Sequence, residues 1–239
     1  MYQNYIFDLY GTLVDIRTNE TSPYLWRKMS EFYSALGAVY SAGELRREYT
    51  RLVEQSCSGE YSEPDLTEVF LNLFLQKGCV CDRKQATLTA IMFRTISRSK
   101  LGLYDGVTEL LDKLKKRGRK LYLLSNAQTD FTGPELDMLG LSCYFDGMFI
   151  SSEEGVKKPS SEFYRRLMDR YGLEPKDCVM IGNDAVADIA GARAVGMDCL
   201  YIHTSISPQL SETVEADYLV MDGDFRKVEG LILRDIEAD

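Results

Sequence analysis

"YIFDLYGTLVD", residues 5–15, decides how the rest of the chain is read. Tyr5, Ile6 and Phe7 run without a break into Asp8, Gly11-Thr12 follows as a turn signal, and Asp15 closes the stretch. An unbroken apolar run is what a strand buried on both faces requires. This one ends on an acid. In an open parallel sheet ligands lie at the carboxyl ends of the strands, so an acid placed there is a candidate for chemistry. The plainer reading is a turn former, because Asp and Gly both favour turns.

Working outward, short apolar runs of the same kind recur at residues 120–124 (KLYLL), 145–150 (FDGMFI), 178–181 (CVMI), 199–202 (CLYI) and 218–221 (YLVM). From residue 100 onward they alternate with stripes at helical spacing. Val107, Leu110, Leu111 and Leu114 form one, Phe163, Leu167 and Tyr171 a second, and Ile189-Ala190 with Arg193-Ala194 a third. This alternation predicts an α/β fold, a Rossmann-like parallel sheet covered by helices. Residues 16–98 differ: they hold no convincing strand. Their stripes are Leu25, Met29, Phe32, Tyr33 and Leu36, then Leu66, Val69, Phe70, Leu73 and Phe74, then Leu88, Ile91, Met92 and Ile96. Such a stretch is too long for a plain connection. It is expected to be a helical domain over residues 16–98, placed over the end of the first strand. The α/β core then takes residues 1–15 and 99–239 and finishes in a short helix after Gly223.

The remaining strand ends carry polar groups too. The second strand ends on Ser125-Asn126, Lys157-Lys158-Pro159 follows the third, and the fourth ends on Gly182-Asn183-Asp184, with Asp188 four residues on. Alone, each has a bland reading: helix caps for Ser125 and Asn126, a solvated loop charge for Lys158, an exposed helix face for Asp184 and Asp188. Together, at successive strand ends, they supply a carboxylate to attack phosphorus, donors and a cation for the equatorial oxygens, and acids for a divalent metal.

"FDLYGTLVD", "LLSNA", "KKPSSEFY" and "VMIGNDAVADIAGARAVGM" resemble, in order, the four motifs of the haloacid dehalogenase superfamily of hydrolases. The subfamily that the chain resembles inserts an α-helical cap after the first motif. The resemblance implies Mg²⁺-dependent phosphohydrolase chemistry on a small phosphorylated metabolite through an aspartyl-phosphate intermediate. It implies Asp8 as nucleophile, the Tyr10 carbonyl with Asp8 and Asp184 as metal ligands, and Asp188 supporting them. Ser125 and Asn126 would bind the transferring group, Lys158 would neutralise it (with Lys157 as the fallback), and Gly11 and Thr12 would shape the loop.

Two positions depart from the phosphatase pattern. Tyr10 stands where the family's phosphatases carry a general acid, and Asn183 where many relatives place an acid. A phenol is a poor base at neutral pH. Tyr10 and Tyr164 both match tyrosines of the family's 2-haloacid dehalogenases, although Gly37 falls where those enzymes carry an arginine. Dehalogenase chemistry, or a catalytically weak metabolite-binding protein, are the alternatives. Three converging carboxylates repel without a cation, which favours the metal-dependent reading. The substrate would be set by the helical domain; residues 61–70 (YSEPDLTEVF) are expected to face the site, with Glu63 and Asp65 either reading a polar substrate or starting a helix.

Formal charge is −9. Without excess cation to neutralise phosphates, neither nucleic acid nor an anionic membrane is an expected partner. No apolar run reaches the ~18 residues of a membrane span. Six cysteines without paired Cys-x-x-Cys spacing read as reduced thiols of a cytoplasmic protein with no leader. Cys79-Val80-Cys81 is a weak soft-metal signal, and His203 is read as structural.

Overall fold

The structure, a computed structural model, describes residues 2–210 and 213–233. Six parallel strands form the main sheet: β1 (Asn4–Phe7), β4 (Lys120–Ser125), β5 (Gly147–Ile150), β6 (Cys178–Gly182), β7 (Asp198–Ile202) and β8 (Tyr218–Val220), in the order β5-β4-β1-β6-β7-β8. β1 is central, with Phe7 opposite Leu123 on one side and Ile181 on the other. Strand order reverses direction around β1, which opens a crevice beyond its carboxyl end.

Alternate side chains point to opposite faces of a strand, and two cores follow. Tyr5, Phe7, Leu121, Leu123, Val179 and Ile181 pack against α5 (Val107–Lys116) and α10 (Phe225–Ile232). Ile6, Leu124, Met180, Cys199 and Tyr201 pack against α8 (Ser161–Tyr171). All four stripe residues of α5 are buried, as its periodicity required. α10 is the short helix expected after Gly223.

Between β1 and α5 the chain leaves through β2 (Val14–Thr18) and returns through β3 (Arg98–Leu103), an antiparallel ribbon. This corrects the expectation that no strand falls in residues 16–98, since Ile16, Arg17, Thr18 and Arg98 are paired. The ribbon encloses α1 (Pro23–Ala35), α2 (Ala42–Ser56), α3 (Leu66–Leu75) and α4 (Arg83–Ser97). These four share a third core built largely of rings. Trp26 meets Tyr49 at 5.1 Å and Phe93 at 5.7 Å between centroids, and Tyr33 stacks on Phe74 at 4.2 Å. Trp26 is buried and donates its indole N–H to the Glu20 carbonyl at 2.7 Å. Phe131 of α6 (Thr129–Met138) reaches into this core from the α/β side.

Two expected stripes are out of place. α4 buries Ala86, Thr89, Ala90, Phe93 and Ser97, while Leu88 is exposed; small residues let α4 approach its neighbours, and the bulkier stripe lies aside. Residues Ala185–Ala190 form a π turn leading into α9 (Gly191–Arg193). The wider turn shifts the phase, so Ile189 and Ala192 are buried and Ala190 and Arg193 exposed. The six cysteines are all free, and Cys178 and Cys199 are buried.

Candidate active site

Asp8 follows the last residue of β1, and its backbone N–H donates to the Ile181 carbonyl at 3.0 Å. The chain then turns sharply. Gly11 has φ +94°, and a Cβ there would lie 2.4 Å from Asn183 Nδ2, so only glycine fits. The turn brings Thr12 back under Asp8, and Thr12 Oγ1 donates to Asp8 Oδ2 at 2.9 Å. Thr204 fixes the turn from the far side, donating to the Gly11 carbonyl at 2.6 Å.

The other oxygen of Asp8 belongs to Lys158. Its Nζ lies 2.8 Å from Asp8 Oδ1, 2.7 Å from Asp188 Oδ1 and 2.8 Å from the Leu124 carbonyl, which uses its three protons. Lys158 is 3% exposed and Asp188 1%. Burial works to strip the proton from Lys158, but Asp188 and Asp8 outweigh it and hold the pKa above the ordinary lysine value. Burial pushes the Asp188 carboxyl upward, Lys158 pulls it down, and Asp8 adds to the rise. Asp188 Oδ2 accepts the Asp184 N–H at 2.9 Å, so both of its oxygens are taken within the protein. Tyr164, buried under the π turn, places its hydroxyl 2.7 Å and 3.0 Å from the Ala187 and Asp188 carbonyls.

Asp184 caps the π turn, its Oδ1 accepting the N–H groups of Val186 and Ala187 at 2.8 and 2.9 Å. Asn183 is packed against Gly11, with its Oδ1 3.3 Å from Thr12 Oγ1, and its Nδ2 donates to Ser207 Oγ at 3.3 Å. Asn126 clasps the backbone of Lys158 in both directions: Nδ2 donates to its carbonyl at 3.0 Å and Oδ1 accepts its N–H at 2.8 Å. Ser125, at the end of β4, is 1% exposed, and its Oγ has no hydrogen-bond partner. It is a buried polar atom without a partner, though Ser125 itself does not line the cavity beside Asp8.

One cavity of about 190 Å³ is lined by Asp8, Tyr10, Asn126, Lys158, Asn183, Asp184 and Asp188, with Ile206 and Pro208 as an apolar wall. The structure therefore brings these sequence-selected residues to one opening, with Thr12 beneath Asp8. Three carboxylates and one lysine leave a formal charge of −2, which suits a divalent ion. Among the described residues no three His, Cys, Asp or Glu side chains form an ion-holding group. An ion there would use Asp8, Asp184, the Tyr10 carbonyl and retained water, an all-oxygen set of the kind Mg²⁺ accepts.

Tyr10 turns its phenol away from this chemistry. Its hydroxyl donates to Glu135 of α6, with Thr132 Oγ1 at 3.3 Å. Glu135, 3% exposed, also receives Arg94 Nε of α4 at 2.9 Å and Arg98 of β3 at 2.6 Å. The Arg94 guanidinium lies 5.0 Å over the Tyr10 ring. Burial raises the phenol pKa well above its ordinary value, and Glu135 adds to the rise. Burial works to raise Glu135, but the Arg94 contacts outweigh it and hold the carboxyl below its ordinary value. Sequence reasoning missed this cluster. The available signal was an acid within the buried face of α6, where Phe131, Thr132 and Leu136 flank Glu135.

A family model for haloacid dehalogenase-like hydrolases matches residues 2–196. The phosphoserine phosphatase of Thermus thermophilus is 28% identical over 168 residues, 70% of this chain and 65% of that protein. The glyceraldehyde 3-phosphate phosphatase of Methanothermobacter thermautotrophicus is 29% identical over 132 residues, 55% of this chain and 58% of that protein. The chain thus spans less than two thirds of these two relatives. The N-acylneuraminate-9-phosphatase of Mus musculus is 26% identical over 223 residues, 90% of this chain and 88% of that protein. Among solved structures, the 2-haloacid dehalogenase of Pseudomonas syringae pv. Tomato DC3000 superposes with a TM-score of 0.69 at 19% identity, covering 98% of this chain and 99% of that one. That likeness is one of fold.

Proposed function

The chain belongs to the haloacid dehalogenase-like hydrolases, and we propose that it is a Mg²⁺-dependent phosphohydrolase acting on a small phosphorylated metabolite in the cytoplasm. The observation that carries this reading is the Lys158 ammonium held between Asp8 and Asp188 at a cavity that Asp8, Asn126 and Asp184 also line. A phosphoryl group brought to that opening meets a carboxylate nucleophile, a fixed cation and the Asn126 amide. Curated relatives named as phosphatases support it.

In this reading Asp8 attacks phosphorus to form an aspartyl phosphate, and Thr12 holds its second oxygen in line. Lys158 and Ser125 meet the charge that develops on the equatorial oxygens. Asn126 acts through Lys158, whose backbone it grips. Asp8, Asp184 and the Tyr10 carbonyl would hold Mg²⁺, which when bound supplies further neutralisation of the phosphoryl oxygens; Asp188 stands behind them as the anchor of Lys158. The helical module, residues 16–98, serves as the cap, with the ribbon as its stalk.

Phosphate release from p-nitrophenyl phosphate, with and without chelator, tests this; activity that survives chelation, or none with Mg²⁺ present, overturns it. A second reading, carbon–halogen hydrolysis, is favoured by Tyr10 and Tyr164, the two tyrosines that match those of the family's 2-haloacid dehalogenases. Halide release from a 2-haloacid without metal would select it.

A further inference from the structure

An alkyl phosphate leaves as an alkoxide and needs a proton as the P–O bond breaks. Tyr10 does not supply one, because its hydroxyl is given to Glu135. Asp188 has both oxygens occupied. A second cavity, of about 360 Å³, borders the first at Tyr10 and Asn126 and lies between the helical module and the core. Its lining includes Glu63, Lys157, Arg94, Tyr49 and Phe131.

Glu63 is held there by backbone as well as side chain. Residues 61–63 run antiparallel to the loop that leads into Lys158: Lys157 N–H donates to the Tyr61 carbonyl at 2.9 Å and Glu63 N–H to the Gly155 carbonyl at 3.1 Å. Ser62 bridges to Val156 between them. The residue after Lys157 carries the ammonium that touches Asp8. Glu63 Oε1 accepts from Gln128 Nε2 at 3.0 Å, and Oε2 lies 3.7 Å from Lys157 Nζ. Its side chain is 13% exposed. Burial pushes its carboxyl above the ordinary range against the opposing pull of Lys157, Gln128 and Ser151. Glu20 also lines this cavity, and burial raises its carboxyl too against the pull of Arg94, but it is exposed at the surface and lies outside the paired segment that leads into Lys158.

Resting on the phosphohydrolase reading, we propose that Glu63 is the general acid for the leaving group. Asp8 forms a bond to phosphorus, the ester P–O bond breaks with its electron pair on the departing oxygen, and the Glu63 proton passes to that oxygen to give the alcohol. Glu63 is left as a carboxylate beside Lys157. Water then releases phosphate from Asp8, and its proton returns the site to its starting state.

The test compares kcat/KM, which reports the steps through leaving-group departure, on p-nitrophenyl phosphate and on glycerol phosphate. Glu63→Gln should lower the alkyl value by ~10²–10⁴-fold and the aryl value by less than ~10-fold, because nitrophenolate leaves without a proton. Glu63→Asp should recover part of the alkyl rate, and it repeats the comparison if the glutamine variant does not fold. Equal losses on both substrates, no alkyl loss, or a selective alkyl loss in Lys157→Met instead would overturn the assignment of Glu63. Absence of wild-type turnover on both esters, or turnover that survives Asp8→Asn, would be the distinct failure of the phosphohydrolase reading, and the proposal would fall with it.

Discussion

The molecule buries two clusters of charge, and they are built in opposite senses. In one, a lysine lies between two acids: Lys158 with Asp8 and Asp188. In the other, an acid lies between two arginines: Glu135 with Arg94 and Arg98. Their central residues are equally buried, each 3% exposed. The lysine cluster is net negative and opens on a cavity. The glutamate cluster is net positive, takes the Tyr10 phenol as a further donor, and ties the core helix α6 to the helical module. Charge desolvation is costly in both places. The first leaves Asp8 facing a cavity, where a ligand can use it; the second joins α6 to the helical module and fixes a position, with Arg94 also bordering the second cavity. Tyr10 joins the two: it lines the cavity beside Asp8, and its hydroxyl is given to Glu135.

The largest effect should separate the clusters by activity. Asp8→Asn removes the nucleophile and should lower turnover by at least ~10⁴-fold. The same change removes one of two acids crowded on Lys158, so the thermal midpoint should hold or rise. A midpoint that fell by many degrees would make Asp8 a structural residue first. Lys158→Met should do both kinds of harm. It leaves Asp8 and Asp188 without their cation, at about 3–5 kcal/mol of stability, and turnover should fall by ~10²–10³-fold with the loss of one donor to the transferring group. Denaturant unfolding beside an aryl phosphate assay reads both, and an active or undisturbed variant would break the contrast.

Glu135→Gln is the mirror experiment. Two arginines lose a buried counter-charge, so about 3–5 kcal/mol should be lost, while aryl phosphate turnover at a temperature where the variant is folded should fall by less than ~10-fold. A loss of turnover comparable with that of Lys158→Met would mean that the two clusters act as one. The smallest effect concerns the last motif. Asp184→Asn should weaken Mg²⁺ affinity more than Asn183→Ala, for which about tenfold is expected from a neighbouring position, because an anionic oxygen binds a hard cation better than an amide. A magnesium titration decides the order, and the reverse order would move the ligand to position 183.

What was legible follows the same division. β1 and α5 were readable because each buries a continuous set of large apolar residues. That Asp8, Asn126, Lys158 and Asp184 meet at one cavity was readable because strand ends in a parallel sheet converge by topology. The β2–β3 ribbon was not, since it is short, carries Arg17 and Lys100, and pairs residues about eighty positions apart. α4 hid its buried face behind alanines, and the π turn shifted a stripe that a regular helix would have kept. Asp65 caps α3, one of the two roles open to it, while Glu63 faces Gln128 and Lys157. Arg94 and Glu135 each look like an ordinary helix charge; their pairing exists only once α4 and α6 meet.

The single tryptophan is Trp26, and it lies wholly within the ring-lined core of the helical module. Its fluorescence therefore reports on that module alone, whereas far-ultraviolet circular dichroism follows the whole chain. If the module can open or melt on its stalk while the sheet persists, emission will change before ellipticity does; if the Glu135 cluster makes the two cooperative, the two signals will coincide.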